Sequence, residues 1–304
     1  MSSLITSCQI RKWLPKRPQK AHKGNFGRVL VVAGSRTMCG AGLLCAKSVL
    51  TAGAGLVYWA LPQSLQPAFA AALPEVITLP LPENSAGEID ESAWELFPGI
   101  CERHNPSLAV VGPGMGASPL LPLLLQNISL PLIVDADALN ALARTAGWTQ
   151  KWPQERPAIF TPHAAELARL LHDNIAKRET KRMAQADTLA QLTKSIVISK
   201  GAPTWIFACL GKKDYYYYNS TGNSALAKGG SGDVLSGVVA GLWAQLGTSE
   251  GFSAKTALKA AVCGTCLHGL AGDFAAHNLS EYSVLARDVI THLSHAFRRL
   301  QEIA

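Results

Sequence analysis

Residues 219–237 read NSTGNSALAKGGSGDVLSG, a small, polar, glycine-bearing loop that runs into an apolar pattern. From Val234 the pattern is one a buried helix needs: Val234, Leu235, Val238, Val239, Leu242 and Trp243. Gly229, Gly230 and Gly232 let the backbone take positive φ and bring its N–H groups close to a ligand. A helix start leaves N–H groups unpaired and carries partial positive charge, so the junction suits an anion such as a phosphate. Asp233 stands at that junction, where its carboxylate would repel a phosphate; a purely structural loop has little reason to place it there. The bland alternative is that Asp is simply a good residue for a helix N-terminus. N–H groups that hold a transferring charge, with an acid that accepts a hydroxyl proton, make a phosphoryl-transfer site.

The elements that must position this junction alternate. Apolar strands are expected at residues 28–33, 56–60, 76–79, 108–111, 132–134, 158–160 and 195–199, with helices at 40–52, 63–72, 91–103, 120–126, 164–171 and 178–193. Residues 204–208 and 214–218 read as an antiparallel pair around Gly211-Lys212, and helices at 233–246, 253–276 and 284–300 finish the chain. This order predicts an α/β fold: a mostly parallel central sheet with helices on both faces. No linker or internal repeat divides it, so one domain is expected over residues 22–304, behind a poorly specified basic leader at 1–21. Ligands of such sheets sit beyond the carboxyl ends of the strands. Gly34-Ser35, residues 112–116, 135–140 and 161–166, and Lys200-Gly201 all fall there.

The bulk numbers exclude some classes. No apolar run reaches the roughly 18–20 residues of a membrane span. The net charge of +7 is uneven, since nine Lys and Arg precede the first acidic residue, Glu75. That acid-free arm admits three readings: a solvated tail, a transit peptide, or a contact for phosphate-rich ligands. No continuous apolar core follows its charges, which argues against a secretory signal. Seven cysteines, odd in number and mostly scattered, fit a reducing cytoplasm. Cys263 and Cys266 form a lone C-x-x-C near His268, within an apolar run where helix packing is the simpler explanation than zinc.

Other motifs carry paired readings. Gly112-Pro113-Gly114-Met115-Gly116 lacks the dinucleotide spacing and reads equally as a tight turn. A P-loop is absent from the sequence. His163 with Glu166 is either a helix cap or a ligand contact above the sheet. Lys200, Gly201, Ala202, Pro203 and Thr204 form either a nucleotide contact or a plain turn. Asp137 and Asn140 share a helical face and could position a metal or water. Residues 215–218, four tyrosines, alternate faces in a strand and read as packing, not as a nucleic-acid platform.

Taken in order, His22-Lys23-Gly24-x-x-Gly27, Ala33-Gly34-Ser35, Gly40-Ala41, residues 112–116 and 135–140, Thr161-Pro162-His163, Lys200-Gly201, Thr221-Gly222-Asn223, residues 229–233 and Leu267-His268-Gly269-x-Ala271-Gly272-Asp273 form a specific set. Over residues 22–300 the chain resembles the ADP/ATP-dependent NAD(P)H-hydrate dehydratases, of the ribokinase-like superfamily. The resemblance implies repair of the S epimer of hydrated NADH or NADPH, driven by ADP or ATP with Mg2+, through phosphorylation of the ring hydroxyl and loss of phosphate. It implies Asp233 as the base and Gly230, Ser231 and Gly232 as the anion hole. Ala41, Gly116 and His163, with Asp233, would contact the substrate. Residues 200–204 and Gly232 would hold the adenine nucleotide. It further implies a cytoplasmic homo-oligomer, a tetramer, with neither nucleic acid nor membrane as partner and the companion epimerase on a separate chain. Gly42 and Ser231 depart from the Ala and Thr of many members. A vitamin-alcohol kinase of the same superfamily is the competing enzyme, and a nucleotide-binding regulatory module the competing non-enzyme.

Overall fold

A computed structural model describes residues 2–211 and 213–302. The elements run β1 (Ser2–Leu4), α1 (Ser7–Trp13), β2 (Arg28–Val32), α2 (Cys39–Thr51), β3 (Leu56–Pro62), α3 (Gln66–Ala72), β4 (Ile77–Leu81) and α4 (Phe97–His104). There follow β5 (Leu108–Val111), α5 (Leu120–Asn127), β6 (Leu132–Val134), α6 (Asp137–Arg144), α7 (Trp148–Lys151), β7 (Ala158–Phe160), α8 (Ala164–Leu170), α9 (Glu179–Thr193) and β8 (Ile196–Ser199). β9 (Thr204–Leu210), β10 (Lys213–Asn219), α10 (Ser231–Glu250), α11 (Ala254–Leu279) and α12 (Ala286–Glu302) complete it.

Among the described residues ten strands join one sheet in the order β1-β10-β9-β8-β7-β6-β5-β2-β3-β4. Pairing is parallel except on the two sides of β9. Alternation along each strand divides the core. Val29 and Val31 face the layer that includes α2, α10 and α11, while Leu30 and Val32 face the opposite helices. The tyrosines of β10 split the same way, Tyr215 and Tyr217 against Tyr216 and Tyr218, so they pack as the alternation predicts. The turn before β10 is described only at Gly211, since Lys212 lies outside the described residues.

α10 carries the loop–helix junction and is buried from Val234 to Gly247. Two glycines let it lie against α2: a Cβ on Gly237 would stand 2.4 Å from the Cys45 carbonyl, and one on Gly241 2.5 Å from that of Val49. The helix starts at Ser231, two residues before the sequence expectation, so Asp233 lies inside its first turn. The helix expected over 91–103 is a 3₁₀ turn followed by α4, because Pro98 has no N–H to continue the first and suits the start of the second.

Residues 2–13, within the segment read as a poorly specified leader, form two elements of the fold. β1 pairs with Tyr216–Tyr218 of β10, and Ile5 and Ile10 are buried in the core. α1 is capped by Thr6, whose hydroxyl accepts from the Gln9 N–H. Farther on, Arg17 reaches the Gly53 carbonyl and Gln245, and lies over the Phe26 ring. Cys263 and Cys266 are buried in α11, and burial raises both thiols.

Candidate active site

The ends of β6, β7 and β8 and the start of α10 converge on one charged cluster. Asp135 ends β6 and is 1% exposed. Its carboxylate accepts from Lys200 Nζ at 3.0 Å on one oxygen and from Ser236 Oγ at 2.7 Å on the other. Glu166, also buried, lies 3.7 Å from the same ammonium. Burial alone would lower the Lys200 pKa, but Asp135 and then Glu166 outweigh it and the net direction is up. Lys200 is thus a fixed cation that ties β8 to β6 and α8.

Asp233 faces this cluster differently. It is half-buried, and among the described residues no donor is paired with its carboxylate. Burial first, and then the charge of Asp135, push its pKa up to about 7; Lys200 opposes and Asp137 adds to the rise. The N–H groups of Gly230, Gly232 and Asp233 meet no acceptor among the described residues. Gly230 holds φ at +90°, which turns the loop into the helix. A Cβ on Gly232 would stand 3.3 Å from Lys200 Nζ, so the bare backbone there lets the ammonium approach the helix mouth. Ser231 Oγ lies 3.3 Å from Nε2 of His268, a buried α11 residue whose pKa burial lowers to about 4. His268 is therefore neutral at pH 7.

The remaining expected residues surround this mouth. His163 does cap α8: its Nδ1 accepts from the N–H groups of Ala165 and Glu166, which leaves the ring proton on Nε2, 3.4 Å from Glu166. Burial, then Lys200 and Arg169, lower its pKa. Asp137 accepts from the Gly116 N–H at 2.8 Å and from Asn140 Nδ2 at 3.4 Å, while Asn140 Oδ1 is buried without a partner. The glycine turn rests on the start of α2, since a Cβ on Gly114 would lie 2.7 Å from that of Ala41. Gly42 beside it has a reason in this chain. An Ala there would put Cβ 2.5 Å from the Trp59 ring, which is held by its Nε1–H donating to the Ala33 carbonyl at 2.9 Å.

Gly201 and Ala202 are exposed, and the turn through Pro203 and Thr204 is stitched from behind. Arg182 donates to the carbonyls of Ser199 and Pro203, and Thr204 Oγ1 to that of Gly201. Ser236 and Arg182 were not among the expected site residues, and Asp135, Glu166 and His268 stood only inside expected motifs, with no role of their own. Asp135 carried one signal, its place at the end of an apolar strand. Arg182 carried another, a cation on the buried face it shares with Gln185, Ala186 and Leu189.

Asp135 is committed to Lys200 and Ser236, and Asp233 is kept for the hydroxyl proton, so Asp137 and the unpartnered Asn140 Oδ1 are the oxygen donors open to a hard cation. No group of three His, Cys, Asp or Glu side chains among the described residues could hold a metal alone. A magnesium ion fits here if phosphate oxygens and water complete its shell, as that ion prefers.

A sequence profile described as NAD(P)H-hydrate dehydratase matches residues 29–295. The ADP-dependent (S)-NAD(P)H-hydrate dehydratase of Xanthomonas campestris is 33% identical over 275 residues, 88% of this chain and 86% of its own. The bifunctional NAD(P)H-hydrate repair enzyme Nnr of Moorella thermoacetica is 38% identical over 98% of this chain. The chain spans 54% of that relative's length. In structure, the ADP/ATP-dependent NAD(P)H-hydrate dehydratase of Bacillus subtilis, co-crystallised with ATP/Mg2+, superposes with a TM-score of 0.79. It is 25% identical, with 98% of this chain and 99% of that one covered. With the sheet order, the glycine-lined helix start and the unpaired Asp233 already in place, these matches show that the chain belongs to the NAD(P)H-hydrate dehydratase family.

Proposed function

We propose that this chain dehydrates the S epimer of hydrated NADH or NADPH at the expense of an adenine nucleotide, with ADP as the donor, as in the Xanthomonas relative. The observation that carries the reading is the Asp233 carboxylate: raised to about 7 and, among the described residues, unpaired and beside three N–H groups with no protein acceptor. A base whose pKa lies near the working pH combines ionisation with proton affinity.

The N–H groups of Gly230, Gly232 and Asp233 hold the terminal phosphate, and Lys200 offsets charge at its edge. Residues 201–204 present backbone to the nucleotide. Ala41, Gly116 and His163 bound the space left for the hydrated ring. Magnesium, when bound, neutralises phosphate charge. Asp233 takes the proton of the ring hydroxyl as its oxygen bonds to phosphorus and the bond to the departing AMP breaks. The carbon–oxygen bond then breaks, phosphate leaves, an adjacent ring carbon gives up a proton, and the double bond returns. One of the two protons ends on phosphate and the other passes to solvent, so the balance is hydrated NADH plus ADP to NADH, AMP, phosphate and a proton. The free cysteines fit a reducing cytoplasm, and homo-oligomerisation belongs to the same reading.

The test supplies hydrated NADH with ADP or ATP and follows recovery of reduced-nicotinamide absorbance. Recovery with ADP supports the reading, and recovery with ATP alone would overturn the choice of donor. No recovery, with phosphoryl transfer to a vitamin alcohol instead, would establish the kinase.

A further inference from the structure

We propose that the groove between α6 and α8 receives the diphosphate-bearing stem of the dinucleotide substrate, with Arg144 and Arg169 binding its phosphates. The proposal rests on the dehydratase reading and deepens it. The groove has a volume of about 600 Å³ and is lined by Asn140, Arg144, Ala165, Ala168, Arg169 and His172, among others.

Its two walls start at the reacting centre. On α6, Asp137, Asn140 and Arg144 follow one another at spacings of three and four and share a face. Asp137 faces Asp233 electrostatically, and Asn140 donates to Asp137. On α8, His163 caps the helix at the mouth and Arg169 lies farther along the same groove. From Asp137 to Arg144 the helix advances about 10 Å. That is the order of length a nicotinamide ring and its ribose span before the first phosphate. Alanines at 165 and 168 leave width between the helices.

The charges also point to an anion. Arg17, Arg36, Arg156 and Arg182 all donate to protein oxygens. Arg144 and Arg169 are exposed and have no hydrogen-bonded or ion-paired partner among the described residues. The groove's carboxylate, Asp173, is already engaged by Lys181 Nζ at 3.0 Å and Gln185 Nε2 at 2.8 Å. Two free guanidiniums beside a neutralised acid suit bidentate contacts to phosphate oxygens.

The double variant Arg144→Ala/Arg169→Ala tests this, with steady-state kinetics varying hydrated NADH and ADP in turn. The expected result is a KM for hydrated NADH raised about tenfold or more, an unchanged KM for ADP, and partial rescue by Arg→Lys at both positions. An unchanged KM for hydrated NADH overturns the proposal. So does a rise in the ADP KM instead, which would assign the arginines to the nucleotide. A fluorescence titration of both proteins with NADH itself judges the groove without turnover: weaker binding by the variant supports it and equal binding overturns it. A wild-type enzyme that fails to restore hydrated NADH counts against the proposed function, while the titration still decides the groove.

Discussion

The two ends of the sheet handle buried charge in opposite ways. At the amino ends of β6 and β7, Arg156 is 7% exposed. It donates at 2.6 Å to the carbonyls of both Ile128 and Leu125, and its guanidinium lies over the Trp152 ring. Burial lowers its pKa to about 10, which still leaves it charged at neutral pH. At the carboxyl ends, Lys200 and Asp135 are satisfied by each other, but Asp233 and the N–H groups beside it have no protein partners among the described residues. One end uses polar groups to close the structure; the other holds them open for a ligand. Arg156 Nε is itself buried without a partner, so what marks the carboxyl end is a partly exposed unpaired carboxylate beside unpaired N–H groups, open to a ligand.

If that contrast is correct, substitutions at the two ends should separate activity from stability. The largest effect is expected for Asp233→Asn, which should lower turnover by about two to four orders of magnitude while largely keeping nucleotide binding, measured by absorbance recovery and by calorimetric titration. Arg156→Ala should do the reverse. Removing a buried group with two hydrogen bonds should destabilise the fold by about 3 kcal/mol in denaturant titrations, with the turnover of the folded fraction kept. Loss of turnover with no loss of stability in Arg156→Ala would erase the contrast.

A smaller effect sharpens it near the site. Gly42→Ala should cost about 1–3 kcal/mol, since its methyl would meet the Trp59 ring, and cutting Trp59 back to a smaller side chain in the same protein should relieve part of that loss. The smallest is a stability gain at the open end. The Asp233 pKa is about 7 in the fold against an ordinary 3.8. Its contribution is therefore full below pH 3.8 and is lost as pH rises through about 7. Without ligand at pH 8, Asp233→Asn should raise Tm on the order of 5 °C, and at pH 4 the gap should close.

How much of this was legible in the sequence follows from how local each signal is. The strands β2, β5, β6, β7 and β8 are short apolar runs closed by glycine or polar residues, and their positions followed from that. Asp233, Lys200 and His163 were legible as polar residues at the ends of such runs. β1 was not, because Ser2–Leu4 has no pattern of its own and exists through pairing with residues more than 200 positions away. The partners of Lys200 were hidden for the same reason. Lys200 and Asp135 are 65 residues apart, and only the fold brings them within hydrogen-bond distance. His268 was masked by its neighbours: beside Cys263 and Cys266 it stood in a run read as helix packing, whereas its ring turns to Ser231 at the helix mouth.

The dependence of kcat/KM on pH for hydrated NADH, with magnesium and ADP present, tests the central claim most directly. An unpaired Asp233 acting as the base predicts an acid limb with an apparent pKa near 7, absent from the residual activity of Asp233→Asn. A wild-type limb near the ordinary carboxylate value of 3.8, or the same limb retained in the variant, would contradict it.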